Sequence, residues 1–168
     1  MISISIQIKE MKKKIFKREN FFLLGLILFI FFLDRFSKSQ IIMNFSDSTF
    51  YYNDFLNFDL VWNTGIGFGL LSSDSILFYN LISGLIALVI FFLLVTAFNS
   101  VKIDKLILSI IIGGALGNFY DRIIYQAVPD FIDLHYENFH WFTFNVADIF
   151  ISIGIILFLL LGGTSKIK

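Results

Sequence analysis

Apolar residues in this chain fall into four long runs, separated by two polar, aromatic stretches and one short basic tether. A membrane-crossing helix needs about 20 mostly apolar residues, and the runs predict four such helices. The first starts at Phe21, is uncharged through Leu33, and must continue past Asp34 and Arg35 to Lys38 to reach that length. The second, Ile76 to Phe98, carries no charge. The third, Leu106 to Ile124, carries Asp121 and Arg122 near its end, and the fourth, Phe144 to Gly163, carries Asn145 and Asp148 near its start. Residues 39–75 and 125–143 form the longer connections. Within the first of these, Phe58, Leu60 and Trp62 alternate with Asp59, Val61 and Asn63, the period of a short strand. The predicted fold class is an all-α integral membrane domain spanning residues 1–168 as one unit.

Composition sharpens this reading. Of 168 residues, 57% are hydrophobic and 15% charged, against about 45–50% and about 25% in soluble domains. That excludes a disordered, collagen-like or coiled-coil chain and argues against a soluble globule. Thirteen basic and thirteen acidic residues cancel, so no nucleic-acid partner is expected. The chain has no cysteine, which removes disulfides, thiol nucleophiles and Cys-ligated metals.

Basic residues orient the helices. Lys9, Lys12, Lys13, Lys14, Lys17 and Arg18 precede the first run, Lys102 and Lys105 separate the second and third, and Lys166 and Lys168 lie at the end. Only Arg35, Lys38 and Arg122 fall toward the opposite side, where most acids lie. Both termini are therefore expected in the cytoplasm, with the acidic connections outside. The start of the chain resembles a signal peptide, but Asp34-Arg35-Phe36-Ser37-Lys38 stands where a small-residue cleavage site would be needed. An uncleaved first helix is expected. Aromatic clusters such as Phe50-Tyr51-Tyr52 and Phe139-His140-Trp141-Phe142 suit a membrane–water interface.

Ionisable groups inside membrane helices are costly and mark function. Asp34 and Lys38 share a helical face, as do Asn118 and Arg122, and as do Asn145 and Asp148. All sit toward the outer ends, at one level, which points to a shared polar site rather than to three unrelated packing contacts. Gly113 and Gly117 make a small-xxx-small pattern suited to close helix packing. Gly65-Ile66-Gly67-Phe68-Gly69 lacks the strand and helix that a nucleotide loop needs. His135 and His140 are too few for a metal site, and interfacial packing is expected of them.

Carboxylates are the abundant chemical resource at this level. Two acids near a membrane surface can share one proton: the ionised member takes a proton from water, and the protonated member polarises the substrate carbonyl. Such chemistry needs neither metal nor cofactor. A serine mechanism finds only Ser37 beside Lys38, and helix neighbours do not face each other. A proton relay would also use buried acids, so a small proton-coupled transporter is the alternative. Against it, the charges cluster at the outer ends and do not continue through the bilayer.

Four blocks carry a family resemblance: Asp34-Arg35-Phe36-Ser37-Lys38; Asn63-Thr64-Gly65-Ile66-Gly67-Phe68; Gly114 to Arg122 followed by Val128-Pro129-Asp130-Phe131; and Phe144-Asn145-Val146-Ala147-Asp148. In this order the chain resembles the prolipoprotein signal peptidase (signal peptidase II) family. Departures are Gly67, where alanine is commoner, and Pro129 before Asp130. The resemblance implies a catalytic pair at Asp130 and Asp148. The residues alone do not choose Asp130 over Asp121, although Asp121 adjoins Arg122 and so suits an ion-paired structural role. Asn63, Asn118, Arg122 and Asn145 are implied to hold substrate or shape the site, and Asp34 and Lys38 to orient the first helix. The resemblance further implies a small outer β-sheet and an intramembrane aspartic endopeptidase. Its substrates would be prolipoproteins bearing diacylglyceryl-cysteine, cut before that cysteine. Membrane lipid would be a further partner, the state a monomer, and the place the bacterial cytoplasmic membrane. The inhibitor globomycin is expected to occupy the same cleft.

Overall fold

The computed structural model describes residues 18–45, 49–65 and 76–161. Among the described residues, four helices and four strands follow in the order α1 (Arg18–Asn44), β1 (Phe50–Asn53), β2 (Leu56–Asn63), α2 (Ile76–Asn99), α3 (Lys102–Tyr125), β3 (Val128–Tyr136), β4 (Phe139–Phe144) and α4 (Val146–Leu161). Three of the helices, α1, α2 and α3, are long and apolar enough to cross a membrane, and α4 is a shorter apolar helix. The first helix does not stop near Lys38 but continues to Asn44. Its charges do not break it because Asp34 and Lys38 are buried against each other.

Helix α3 is the hub. In its most apolar stretch 61% of residues are buried, against 17% in α1 and 11% in α2. Its glycines explain how close the neighbours come. A Cβ on Gly113 would lie 2.9 Å from Ile30 of α1, and one on Gly114 would lie 2.6 Å from the Ala147 carbonyl of α4. At Gly117 a Cβ would fall on the Asp34 carboxylate. The small-xxx-small pattern therefore seats α1, and the glycine between seats α4. Ile27, Leu108 and Ile112 form the apolar centre. Outward faces of α1, α2 and α4 carry large bare apolar groups, among them Phe22, Phe29, Leu77 and Leu159.

The strands form one antiparallel meander, β1-β2-β3-β4. The alternating stretch around Trp62 is part of β2, which pairs with β3 from Leu56↔Leu134 to Asn63↔Val128. An Asx turn closes β1–β2, the Phe55 N–H donating to Asn53 Oδ1 at 2.9 Å. Gln126, with φ 55°, ends α3 in the left-handed conformation and turns the chain into β3. Strand β4 runs directly into α4, so the β3–β4 hairpin physically connects Asp130 to Asp148.

Candidate active site

Asn145 is the residue on which the site closes. It caps α4: its Oδ1 accepts the Asp148 N–H at 3.0 Å, while its own N–H donates to Asp148 Oδ2 at 3.1 Å. This is a reciprocal capping box in Asn-x-x-Asp form. The Asn145 Nδ2 then donates to Asp130 Oδ1 at 2.5 Å. One amide thus ties the acid of β3 to the acid of α4. Asn63 Nδ2 donates to the other Asp130 oxygen at 2.8 Å, and Asn118 Nδ2 donates to Asp148 Oδ1 at 2.8 Å. Asp130 and Asp148 are both buried, and in these bonds their oxygens accept only amide N–H groups.

Two further buried acids, Asp34 and Asp121, are treated differently. Lys38 Nζ donates to Asp34 Oδ2 at 2.8 Å, Asp121 Oδ2 at 2.7 Å and Asn118 Oδ1 at 2.7 Å, which uses all three ammonium protons. Arg35 pairs with the remaining Asp121 oxygen and lies over the Tyr120 ring, 4.8 Å from its centroid. Asp34 Oδ1 accepts the Ala147 N–H at 2.9 Å, a favourable place for an anion at the start of α4. Lys38, Asp34 and Asp121 are 0% exposed. Two cations and two anions therefore neutralise one another in a cluster that locks α1, α3 and α4 together.

Sequence reasoning placed Arg122 beside Asp121; the structure sends it elsewhere. Its Nη2 donates to the Gly65 carbonyl at 2.7 Å and its Nη1 to the Asn118 carbonyl at 3.3 Å. Successive helix positions diverge by about 100°, so adjacent side chains cannot pair. Arg35 takes the place assigned to Arg122, and it was missed because its partner lies 86 positions away. Tyr79, which donates to the Arg122 carbonyl at 3.0 Å, had no signal in the sequence. Ser37 Oγ donates to the Asp34 carbonyl at 2.8 Å, a local helix bond rather than nucleophile geometry.

Burial first, and then the Asp148 charge, push the Asp130 carboxyl up to about 6; the Asn63 and Asn145 bonds pull in the opposite direction. Asp130 is thus poised to hold or release a proton near neutrality. Residues Ile66 to Phe68 of the second motif block lie outside the described residues, whereas Asn63 and Gly65 are in place: Asn63 Oδ1 accepts the Gly65 N–H at 2.8 Å. An apolar cavity of about 180 Å³, lined by Phe21, Leu24, Ile27, Leu94 and Ile112 among others, holds none of these acids.

The fold joins helices long and apolar enough to cross a membrane to a small sheet, with two buried acids linked through one asparagine amide, and known proteins of similar sequence and fold place it in a class of membrane enzymes. Two solved bacterial membrane enzymes share the fold. One has a TM-score of 0.65 and 29% identity, covering 87% of this chain and 91% of its own. The other has a TM-score of 0.63 and 28% identity, covering 84% and 94%. Residues 26–162 match the family described as signal peptidase (SPase) II, and the chain belongs to that family. The lipoprotein signal peptidase of Pelagibacter ubique (strain HTCC1062) is 48% identical over 146 residues, 84% of this chain and 88% of its own length. That of Blochmanniella pennsylvanica is 46% identical over 103 residues, covering 60% and 62%.

Proposed function

We propose that this chain is an intramembrane aspartic endopeptidase that removes signal peptides from diacylglyceryl-modified prolipoproteins, cutting just before the lipidated cysteine. Family membership supports the lipoprotein-processing class. The observation that carries the catalytic assignment is the sorting of four of the buried acids, those gathered around Asn118 and Asn145. Asp34 and Asp121 are matched by Lys38 and Arg35, while Asp130 and Asp148 meet amides and are joined through Asn145. That contrast supports reading the second pair as the one that shares a proton.

In the reaction, the ionised member of the pair takes a proton from water, and the resulting hydroxide adds to the scissile carbonyl. The protonated member donates a hydrogen bond to the carbonyl oxygen. Collapse of the tetrahedral intermediate breaks the C–N bond, and the nitrogen leaves with a proton from the pair. Neither a metal nor a cofactor enters these steps. The buried Arg122 Nε has no hydrogen-bond partner among the described residues, while its Nη2 holds the Gly65 carbonyl. Asn63, joined to Gly65 and through it to Arg122, holds Asp130 on the same side.

The outward apolar faces of α1, α2 and α4 suit lipid, and the distribution of basic residues supports cytoplasmic termini. The acids then lie at the extracytoplasmic face of the bacterial cytoplasmic membrane. Acyl chains left in the bilayer would fix the scissile bond at that level, which lowers the entropy lost on reaching the transition state.

The test is cleavage of a purified diacylated precursor by purified enzyme. Cleavage before the modified cysteine is expected, with none of the unlipidated precursor. Equal cleavage of both precursors would remove the lipid from the reading, and full activity of Asp130→Asn or Asp148→Asn would remove the dyad.

A further inference from the structure

Strand geometry gathers a second group of ligating side chains on the β3–β4 hairpin. Asp133 and His135 are two apart on β3 and share a face, whereas Asp130, three positions from Asp133, points to the other. His140 of β4 is the cross-strand partner of His135, where the register shifts by one residue. The ligating atoms of Asp133, His135 and His140 all lie within 4.8 Å of one another. His140 Nδ1 is 2.8 Å from Asp133 Oδ2, and His135 Nδ1 is 3.7 Å from the same oxygen. The two imidazoles stack with centroids 5.3 Å apart.

Two details set this cluster apart from ordinary polar packing. His135 is 5% exposed, and its buried Nδ1 has no hydrogen-bond partner among the described residues. It is turned toward the Asp133 carboxylate at a distance too long for a hydrogen bond. A lone imidazole nitrogen held next to a carboxylate and a second imidazole is what a metal ligand looks like without its ion. His140, by contrast, has 56% of its side chain exposed. It can swing to close the set and leave one position open to water.

We propose that Asp133, His135 and His140 bind one transition-metal dication of the zinc type, apart from the acid pair. Two imidazoles and one carboxylate match the three protein ligands of an open tetrahedral zinc site. Ligand atoms around such an ion lie roughly 3.4 Å apart for bonds of about 2.1 Å, so a small rotation of His140 brings the widest pair into range. Magnesium and calcium, which take mostly oxygen ligands in larger numbers, are disfavoured. A bound ion joins β3 to β4 near the turn of the hairpin that connects Asp130 to Asn145 and Asp148. Its role is to clip that hairpin, not to activate water for peptide hydrolysis.

The experiment uses the full chain purified in detergent, stripped with chelator and titrated with Zn²⁺, and with Co²⁺ as a spectroscopic probe. One equivalent is expected to bind, with the visible absorption of tetrahedral Co²⁺, and saturating Zn²⁺ is expected to raise the melting temperature by at least about 3 °C. His140→Ala, at an exposed position, and Asp133→Asn should each weaken binding at least tenfold and lose the Zn²⁺-dependent shift. Before metal is added, His140→Ala should melt with the stripped wild type, which shows that it folds. Mg²⁺ should produce no shift. Absence of saturable Zn²⁺ binding, or binding unchanged in both variants, would overturn the site and leave a hydrogen-bonded His–Asp pair.

Discussion

Asn145 donates its side-chain amide to Asp130 at 2.5 Å while exchanging two bonds with Asp148, so a helix cap and an acid-pair bridge are the same residue. The two duties separate by mutation. Serine is a good N-cap but is too short to reach Asp130. Asn145→Ser should therefore melt close to wild type while losing about 10²-fold in kcat, the scale associated with a misplaced catalytic group. Asn145→Ala should lose the same activity and also about 1 kcal/mol of stability. Thermal unfolding beside a precursor-cleavage assay reads both, and a fully active Asn145→Ser would show that the bridge is dispensable.

Replacing either acid with its amide should abolish processing. Asp130→Asn and Asp148→Asn each remove one half of a proton exchange to which acid–base catalysis contributes about 10²–10⁴-fold. A loss of at least about 10³-fold is expected for each. Because the members act as a unit, the double variant should be little worse than either single one. Asp121→Asn gives the contrast. Its effect should appear chiefly in thermal unfolding, since its carboxylate meets Lys38 and Arg35 rather than the acid pair.

Asp130, raised to about 6 chiefly by burial, makes the pH profile a second readout. Loss of the shared proton above that value should bring kcat/KM down about tenfold per pH unit. The Asn63 bond lowers the Asp130 value, so Asn63→Ala should move this alkaline limb to higher pH even as the overall rate drops. A limb that stayed in place would assign the titration to another group. Stability follows the same linkage. A carboxyl raised in the folded state has its contribution in full below the unfolded value near 4, and loses it as pH rises through about 6. The loss amounts to about 3 kcal/mol, which chemical denaturation at pH 4 and pH 7 would detect.

The helices were legible because an apolar run is a local property. So were Asp34 with Lys38 and Asn145 with Asp148, since helix periodicity alone brings partners three or four apart together. Pairings across the chain were not. Nothing local joins Arg35 to Asp121 or Asn145 to Asp130, and proximity in sequence misdirected Arg122 toward Asp121. Strand β3 also hid itself. Val128, Pro129, Asp130 and Phe131 are all buried, so both faces are covered and the period-two signal vanishes, unlike in β2. Asp130 was reachable only through the family motif. Asp133 was overlooked as a companion of His135 and His140 because the strand that aligns them was not visible.

Gly117 should tolerate no side chain. A Cβ there falls on the Asp34 carboxylate, which would have to leave both Lys38 and the Ala147 N–H. Gly117→Ala should cost at least about 2 kcal/mol, within the range for overpacked interiors, and should impair cleavage by tilting the start of α4. A Cβ added at Gly25 or Gly84 would meet no neighbouring atom within 4 Å. Alanine at either should be neutral or stabilising by about 0.5–1 kcal/mol, so the three variants compared by thermal unfolding isolate the packing effect from helix propensity.

Lys38 carries the largest electrostatic stake. It is 0% exposed and donates to two carboxylates and an amide. Lys38→Met keeps the volume and deletes the charge, after which Asp121 still has Arg35 but the Asp34 carboxylate keeps, among the described residues, only the Ala147 N–H. Breaking a buried pair in this way costs about 3–5 kcal/mol, because an unmatched charge stays behind. Neutralising that acid as well should restore much of the loss, so Lys38→Met with Asp34→Asn should melt higher than Lys38→Met alone. Lys38→Arg should fail to rescue, since a planar guanidinium cannot point three donors at three separate acceptors as an ammonium does. Additive melting shifts in the Lys38–Asp34 cycle would mean that the two residues do not depend on each other, and the ion cluster would then lose its place as the lock between α1 and α3.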